Sequence, residues 1–347
     1  MRRHFYHFSL LIFFLSLFGC GGNQNQNFNT QGSSSQASML IQEVGNFLEN
    51  NAFAIGVPFK QSSSILKKYI PDLCQLSGQA LLNEMNLILK QEFNISHLFL
   101  SLGERSSSMD EILPFPVQAG LQKEHLGSAS WTSFKEGTIG YLKIPTFMEK
   151  GYQKSTVEQG CLQLRHTKLL IIDLRGNCGG RVSYLMHFLS QVMPDQTITG
   201  YDIDEDSYKN FLKLGGIHSR FIDIIHFVRS SFSRFFKNIM RSTIVRNHQT
   251  HYQGKLAVLI DESSASSAEH AASTLQNEMG ALLIGTPSSG ALLTSYIVAL
   301  NCGAQLQYPI ADFLTTKGKR IEGNPLIPQI TALGNKAIET AIHTFFP

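Results

Sequence analysis

Residues 169–180 read LLIIDLRGNCGG, and this stretch decides the fold class. The apolar run before Asp173 has no polar alternation, which is typical of a strand that is covered on both faces. The glycines that end the stretch predict a tight turn, and a helix is expected from Arg181 to Met193. A strand, a turn and a helix in succession form one unit of a layered α/β protein.

The second half of the chain repeats this succession. Residues 255–260 (KLAVLI) predict a strand and residues 265–279 predict a helix. Further strands are predicted at four places: residues 138–144, 281–285, 296–300 and 305–309. We therefore expect an α/β core over residues 136–347.

The chain before this core has a different pattern. Residues 81–90 place apolar side chains at i, i+3, i+4 and i+7, which predicts an N-terminal helical part over residues 39–100. Residues 101–135 are rich in Ser, Gly and Pro and predict a loop.

Residues 200–250 predict a helical insertion in the core. Within it, residues 220–241 combine apolar and basic residues as a basic amphipathic segment. Three interpretations stay open for this segment: a packed helix with a solvated face, a lid over a cleft, or a surface that lies on lipid headgroups.

The charge balance excludes one class of partner. The 347 residues include 29 Lys and Arg and 26 Asp and Glu, a net charge of +3. A nucleic-acid-binding domain usually has a strongly basic face, so we expect no nucleic acid partner. The 43% of hydrophobic residues is enough for a sizeable core. The oligomeric state is unknown from the sequence.

The first twenty residues have the pattern of a bacterial export signal. Arg2 and Arg3 precede an apolar run at residues 8–18, which is short for a membrane-spanning helix. Residues 17–20 (LFGC) resemble a lipobox, in which the cysteine, here Cys20, is acylated and becomes the first residue. An ordinary signal peptide with an incidental cysteine is the alternative.

This N-terminus predicts where the protein resides. We expect a lipoprotein signal peptide at residues 1–19, a flexible polar tether at residues 20–38 and a membrane anchor through the lipid on Cys20. The implied location is the bacterial cell envelope, on the periplasmic face. Gly21 is not the aspartate often linked to retention in the inner membrane, which favours the outer membrane.

Four further cysteines are present: Cys74, Cys161, Cys178 and Cys302. An exported protein meets an oxidising compartment, so one or two disulfides are compatible with the sequence, without assigned pairs. The chain has no C-x-x-C and no H-E-x-x-H motif. We therefore expect no metal and no cofactor.

Three stretches place reactive groups beside the ends of predicted strands and helices. A serine in residues 261–269 (DESSASSAE) would lie at a helix N-terminus, where unpaired N–H groups favour negative charge, although serine is also a common N-cap. The glycines of residues 173–180 let N–H groups face a crevice, as an oxyanion hole requires. His97 follows the helix predicted at residues 81–92, and histidine is the usual general base, although a lone histidine is more often structural.

Taken together, four segments resemble the tail-specific, or C-terminal processing, serine peptidases. They occur in that family's order within residues 75–332, and they are residues 140–145 (GYLKIP), 170–180 (LIIDLRGNCGG), 264–269 (SASSAE) and 284–290 (IGTPSSG). The resemblance implies a crotonase-like (ClpP/crotonase) spiral of strand-turn-helix units. It also implies a serine-type hydrolase that acts on peptide or protein substrates.

The family has two catalytic designs, and this sequence matches one of them. One design pairs the serine with a downstream lysine, and Ala291 stands at that position here. The other resembles the tricorn core protease, with a Ser-His pair and a late glutamate. Ser96 and His97 match the pair, and residues 320–328 (RIEGNPLIP) resemble the segment that carries the glutamate, Glu322. The aspartate that usually follows this segment is replaced by Gln329.

The resemblance implies a role for each matching residue. Ser266 would attack the scissile carbonyl after His97 takes its proton. Glu322 would orient the imidazole, directly or through Ser96.

The same resemblance implies an oxyanion hole and a structural glutamate. The backbone N–H groups of Gly179 (or Gly180) and Ser267 would bind the tetrahedral oxyanion. Glu269 follows the nucleophile by three positions, which favours a capping-box or structural role.

The predicted function is a lipid-anchored serine endopeptidase with a Ser-His-Glu type site. The alternative is a catalytically inactive relative that binds peptides or small ligands in the groove. An esterase of the α/β-hydrolase type is disfavoured because the chain has no G-x-S-x-G elbow. Most tail-specific proteases carry a PDZ module, but only 40 residues separate His97 from the strand at Thr138, so no PDZ module is expected.

Overall fold

The computed structural model describes residues 33–102, 127–213, 241–245 and 251–347. The helices in these ranges are α1 (Ser33–Asn51), α2 (Ser62–Lys67), α3 (Ile70–Leu73), α4 (Gly78–Phe93), α5 (Lys154–Gln163), α6 (Val182–Val192), α7 (Glu205–Lys213), α8 (Ser267–Met279) and α9 (Lys336–Phe345). The strands are β1 (Phe99–Leu102), β2 (Ser130–Phe134), β3 (Ile139–Lys143), β4 (Leu169–Asp173), β5 (Ile198–Asp204), β6 (Arg241–Ile244), β7 (Lys255–Ile260), β8 (Leu282–Gly285), β9 (Leu293–Ala299), β10 (Ala304–Leu314) and β11 (Ile330–Thr331).

A six-stranded sheet forms the centre of the α/β part. Its strand order is β11-β8-β7-β4-β3-β2, and every pair is parallel except the edge pair of β2 and β3. Because the strands are parallel, their carboxyl ends meet at one edge, which is where ligands bind in open α/β sheets. The loops that follow β4 and β7 both leave from this edge.

Strand β4 is covered on both faces, as its continuous apolar run predicts. Leu170 and Ile172 belong to the largest core, together with side chains of α5, α6 and α8. Leu169 and Ile171 belong to another core, which α9 completes. The alternation of side chains along a strand therefore separates two helix layers.

A second, antiparallel sheet joins the two ends of the described chain. It contains β1, β10, β5 and β6 in that order, and β9 also pairs with β10. The N-terminal helices pack on it in a core of their own, which includes Leu40, Leu82 and Leu306. This packing holds the region after α4, which carries His97, against the C-terminal strands.

Two predicted boundaries at the start of the chain are wrong. Residues 33–38, which the sequence assigns to the tether, are the first residues of α1, because Ala37 is fully buried in the N-terminal core. The loop predicted at residues 101–135 contains the end of β1 and all of β2. These short strands form because β10 and β3 pair with them, and residues 103–126 lie outside the described residues.

The insertion predicted at residues 200–250 is not wholly helical. Ile198–Asp204 forms β5, Glu205–Lys213 forms α7 and Arg241–Ile244 forms β6. β5 pairs with both β10 and β6, and such pairing with distant strands cannot be read from local periodicity. The predicted amphipathic segment at residues 220–241 lies outside the described residues except for Arg241.

The structure tests the cysteine and membrane predictions only in part. Cys74, Cys161, Cys178 and Cys302 are free thiols, so no disulfide joins these four. The predicted signal peptide and the lipid site at Cys20 lie outside the described residues. In the ranges that the structure describes, no helix has the length and apolar character needed to cross a membrane.

Candidate active site

Ser266 lies at the carboxyl edge of the central sheet, immediately before α8. Its backbone has φ +54° and ψ −120°, a strained conformation that costs about 1–3 kcal/mol and is typical of functional positions. Its N–H donates to the Ala291 carbonyl at 2.9 Å and to Glu269 Oε2 at 3.2 Å. These bonds hold the serine in a turn from which its hydroxyl faces His97.

His97 reaches Ser266 from the N-terminal helical part. Helix α4 ends at Phe93, and Asn94 has left-handed backbone angles that terminate the helix. His97 also has a positive φ of +54°, and its Nε2 lies 3.2 Å from Ser266 Oγ. Burial lowers the pKa of His97 to about 4, so the ring is neutral at pH 7.

Ser96 connects His97 to the buried carboxylate of Glu322. Ser96 Oγ lies 2.6 Å from His97 Nδ1 and donates to Glu322 Oε2 at 2.6 Å. Glu322 also accepts the N–H groups of Ser96 at 2.7 Å and Leu292 at 2.9 Å. Glu322 therefore reaches the imidazole through Ser96, one of the two arrangements that the sequence leaves open.

The hydrogen-bond pattern assigns the histidine tautomer. Glu322 Oε2 accepts the only hydroxyl proton of Ser96, so the Ser96 oxygen acts as an acceptor toward His97 Nδ1. His97 then carries its proton on Nδ1, and the lone pair of Nε2 faces Ser266 Oγ. This is the tautomer that a general base needs. Burial raises the pKa of Glu322, while the bonds from Ser96 lower it.

The structure distinguishes the two glycines that the sequence offers for an oxyanion hole, Gly179 and Gly180. The N–H of Gly179 donates to Asn177 Oδ1 at 2.8 Å, so it is not available to an oxyanion. The Gly179 carbonyl accepts the N–H of Phe147 at 2.9 Å. Because a trans peptide points its N–H and C=O in opposite directions, the N–H of Gly180 points away from Phe147. Gly180, the alternative to Gly179 in the sequence, is therefore the better donor.

Ser267 supplies the second candidate donor. Its N–H is the first of helix α8, and among the described residues neither it nor the N–H of Gly180 has an acceptor. The Ser267 hydroxyl donates to the Gly180 carbonyl at 2.9 Å. This bond ties the glycine turn to the start of α8.

The structure adds residues that the sequence analysis does not single out. Ser288 donates to Glu269 Oε1, and its oxygen accepts the N–H of Leu326 at 2.8 Å. Asn177 orders the glycine turn through Gly179 and the Ile144 carbonyl. Both residues lie inside the family-like segments, so their position was a signal for them, but their partners come from distant parts of the chain.

The site is built for acid–base and nucleophilic chemistry by protein groups. The described residues contain no group of three or more His, Cys, Asp or Glu that could hold a metal ion. The site combines a serine hydroxyl, a neutral imidazole whose lone pair faces that hydroxyl, a buried carboxylate behind the imidazole and two N–H groups. Acyl transfer uses groups of these kinds.

A family model matches residues 138–332 and carries the description Peptidase family S41. The chain belongs to peptidase family S41. This membership confirms the sequence-based resemblance at the level of the family, and the family is one of serine-type peptidases. The match includes Ser266, Glu322 and the glycine turn, whereas Ser96 and His97 lie before its first residue.

Curated relatives of this S41 chain include peptidases and a resistance protein. It is 28% identical over 213 residues to the nisin-resistance protein of Lactococcus lactis subsp. lactis, which is 60% of each chain. It is 23% identical over 202 residues to the carboxy-terminal processing protease CtpA of Bacillus subtilis (strain 168), which is 58% of this chain and 36% of the relative. The chain thus spans between about a third and three fifths of the length of these relatives.

Solved structures share the mixed α/β fold of the S41 chain. The crystal structure of a protein described as a putative peptidase from Parabacteroides merdae ATCC 43184 aligns with a TM-score of 0.59 at 15% identity, and the alignment covers 91% of this chain and 98% of that one. A lipoprotein from Streptococcus agalactiae aligns with a TM-score of 0.56 at 13% identity, covering 95% and 98%. The tricorn protease aligns with a TM-score of 0.55 at 14% identity, covering 89% of this chain and 37% of its own.

Proposed function

We propose that this S41 chain is a lipid-anchored serine endopeptidase that cleaves peptides or proteins with a Ser266–His97–Ser96–Glu322 relay. One observation carries the proposal. An unbroken series of hydrogen bonds runs from Ser266 Oγ through both ring nitrogens of His97 and the hydroxyl of Ser96 to Glu322. Each bond has a length and a direction that suit proton removal from the serine.

The first half of the reaction forms an acyl-enzyme. Ser266 Oγ attacks the scissile carbonyl carbon as its proton moves to His97 Nε2. The imidazolium that forms donates its Nδ1–H to the Ser96 oxygen, and the negative charge of Glu322 stabilises the imidazolium through the Ser96 hydroxyl. His97 then protonates the leaving amine, the C–N bond breaks, and the acyl group stays on Ser266.

The second half returns the enzyme to its starting state. Water gives a proton to His97 Nε2 and attacks the acyl carbon, and the proton then passes to Ser266 Oγ as the C–O bond breaks. In both halves the N–H groups of Gly180 and Ser267 would hold the carbonyl oxygen while it carries negative charge. Loss of one such donor typically costs about 3–4 kcal/mol of transition-state stabilisation.

The finer assignments are part of the same proposal. Position 291, where the Ser-Lys design has its lysine, is an alanine, and the chain has the Ser-His pair at residues 96–97. Both observations favour the design of the tricorn core protease over the Ser-Lys design. The parallel sheet with its successive strand-turn-helix units supports a crotonase-like spiral. The 40 residues between His97 and Thr138 favour a core that has no PDZ module.

The location follows from the N-terminus. The LFGC segment at residues 17–20 supports acylation of Cys20 and a position in the bacterial cell envelope, on the periplasmic face. Such an anchor would place the peptidase at a membrane surface, where it would meet extracytoplasmic peptides.

The inactive, ligand-binding alternative is less consistent with the site. A binding protein has no need of a base whose tautomer and lone pair are fixed toward a serine hydroxyl. It also has no need of strained backbone at Ser266 and His97.

Peptide cleavage tests the proposal directly. The purified full-length chain, in detergent, is incubated with an unbiased peptide mixture that also contains nisin, because one curated relative is a nisin-resistance protein. Mass spectrometry identifies the cuts and the residue preference beside them. The variants Ser266→Ala and His97→Ala run in parallel, and thermal unfolding checks that they are folded.

Cuts that disappear in both folded variants support the serine peptidase. Cuts that persist with Ser266→Ala contradict the assigned nucleophile. An absence of cuts by folded wild-type protein favours the binding alternative.

A further inference from the structure

Glu269 is a fully buried carboxylate beneath the nucleophile, and it makes no contact with His97 in the proposed relay. It is the third residue of α8, and it accepts four hydrogen bonds. Oε1 accepts the Ser288 hydroxyl and the N–H of Gly290 at 2.7 Å. Oε2 accepts the N–H of Ala291 at 2.9 Å and that of Ser266 at 3.2 Å. A carboxylate has enough lone pairs for all four, and a buried one needs such partners.

Three of the four donors, which belong to Ser288, Gly290 and Ala291, lie in one short stretch that we call the 288–292 segment. This segment contacts the nucleophile because the Ala291 carbonyl accepts the Ser266 N–H. It contacts the other end of the relay because the Leu292 N–H donates to Glu322 Oε2. It is further joined to the Glu322 loop by the Gly323 N–H, which donates to the Gly290 carbonyl at 2.8 Å. The segment therefore bridges the nucleophile and the relay glutamate.

We propose that Glu269 is a positioning residue of the peptidase. Its buried carboxylate joins the strained Ser266 backbone to the 288–292 segment by hydrogen bonds. These bonds set the distance between the nucleophile and the Ser96–Glu322 end of the relay. This inference rests on the proposed function. It extends the capping-box role, since the capping box explains only the bond to Ser266.

The charge state of Glu269 controls these four hydrogen bonds. The ionised carboxylate accepts all four donors, whereas protonation removes one acceptor position and leaves one of the four donors without a partner. Burial raises the pKa of Glu269 to about 7, and the bonds from Ser288 and the three N–H groups oppose that rise. The fraction of ionised Glu269 therefore increases as the pH rises through about 7, and with it the fraction of molecules in which all four hydrogen bonds are formed.

The two histidines near Glu269 ionise at lower pH than Glu269. His270 is the next residue of α8, and burial lowers its pKa to about 3. His97 is connected to Glu269 through Ser266, and burial lowers its pKa to about 4. Glu322 is connected through Leu292, and burial raises its pKa as well. A rise in activity near pH 7 is assigned to Glu269 when it moves in Ser288→Ala, because the Ser288 hydroxyl donates to Glu269.

The test compares pH profiles of kcat/KM for full-length wild type and Glu269→Gln, with a peptide that wild type cleaves. The amide keeps the shape but brings an N–H₂ against N–H donors. We expect kcat/KM at pH 8 to fall about 10²-fold, as a misplacement of the order of 1 Å costs, with most of the loss in kcat. Wild-type activity should rise through about pH 7, and the variant should lack that rise. Glu262→Gln, at an exposed carboxylate in the loop that leads into α8, is the matched control.

Ser288→Ala tests the inference if Glu269→Gln does not fold. The Ser288 hydroxyl lowers the pKa of Glu269, so its removal should move the rise in activity to higher pH. A Glu269→Gln variant with the wild-type profile, or a Ser288→Ala variant with an unmoved rise, overturns the inference and leaves the peptidase assignment intact. Wild-type protein that is folded but cleaves nothing overturns the proposed function itself.

Discussion

Ser96 occupies the position between the base and the buried carboxylate. Its hydroxyl donates a hydrogen bond to Glu322, and its oxygen accepts one from the Nδ1–H of His97. This order fixes the tautomer without direct contact between the carboxylate and the ring. A single hydroxyl therefore determines which nitrogen of His97 can take the proton of Ser266.

Removal of this hydroxyl gives a prediction at the residue scale. In Ser96→Ala, Nδ1 loses its acceptor and the ring is free to adopt the wrong tautomer, so kcat/KM should fall by about 10²–10⁴-fold with a smaller change in KM. Steady-state cleavage of a fixed peptide measures both constants. Ser64→Ala, an exposed serine of the same helical part, should retain wild-type kinetics. Full activity of Ser96→Ala would exclude the relay through this residue.

The glycine turn after β4 contains Gly180, one of the two proposed oxyanion donors. Gly180 has φ +139°, and a Cβ there would lie 2.2 Å from the carbonyl carbon of Phe147. Gly176, in the same turn, has φ +74° but open space where a Cβ would be. The two glycines share a positive φ and differ in their contact with the rest of the fold.

This difference predicts unequal effects of one methyl group. Gly180→Ala should displace the turn, lower the unfolding temperature and reduce kcat about 10²–10³-fold through loss of the oxyanion donor. Gly176→Ala carries only the backbone cost of positive φ, about 1–2 kcal/mol, and should stay active. Thermal unfolding and kcat, measured on both variants, separate stability from catalysis. Equal loss of kcat in the two would contradict the donor role of Gly180.

At the scale of the whole molecule, the site exists only because two cores meet. The helical core carries Ser96 and His97, and the α/β core carries Ser266 and the glycine turn. Glu322 bonds to both sides through Ser96 and Leu292. The antiparallel sheet that pairs β1 with β10 holds the two parts in register.

The anchor gives a prediction for the intact chain. Cys20→Ser removes the thiol that the lipobox-like LFGC segment would acylate, so the protein should move from the membrane fraction to the soluble fraction of bacterial cells. Cys74→Ser, at a free thiol in the folded part, should stay in the membrane fraction. Metabolic labelling with a radioactive fatty acid checks the modification itself. Persistence of Cys20→Ser in the membrane fraction would count against the lipid anchor.

The sequence by itself determines the parts with strong local signals. The apolar run of β4, its glycine turn and the periodicity of α4 follow from short-range sterics and side-chain spacing, and the structure contains all three. The resemblance to the family also identifies four candidate site residues, because the matching segments occur in the family's order along the chain. These residues are Ser96, His97, Ser266 and Glu322.

Only the tertiary structure decides how these parts combine. Strands β5 and β6 form through pairing with strands distant in the sequence, and α1 starts at Ser33 because Ala37 is buried by remote helices. The relay through Ser96, the choice of Gly180 over Gly179 and the four bonds of Glu269 depend on directions of individual N–H and O–H groups. Such directions are set by contacts between residues far apart in the chain, and no local pattern encodes them.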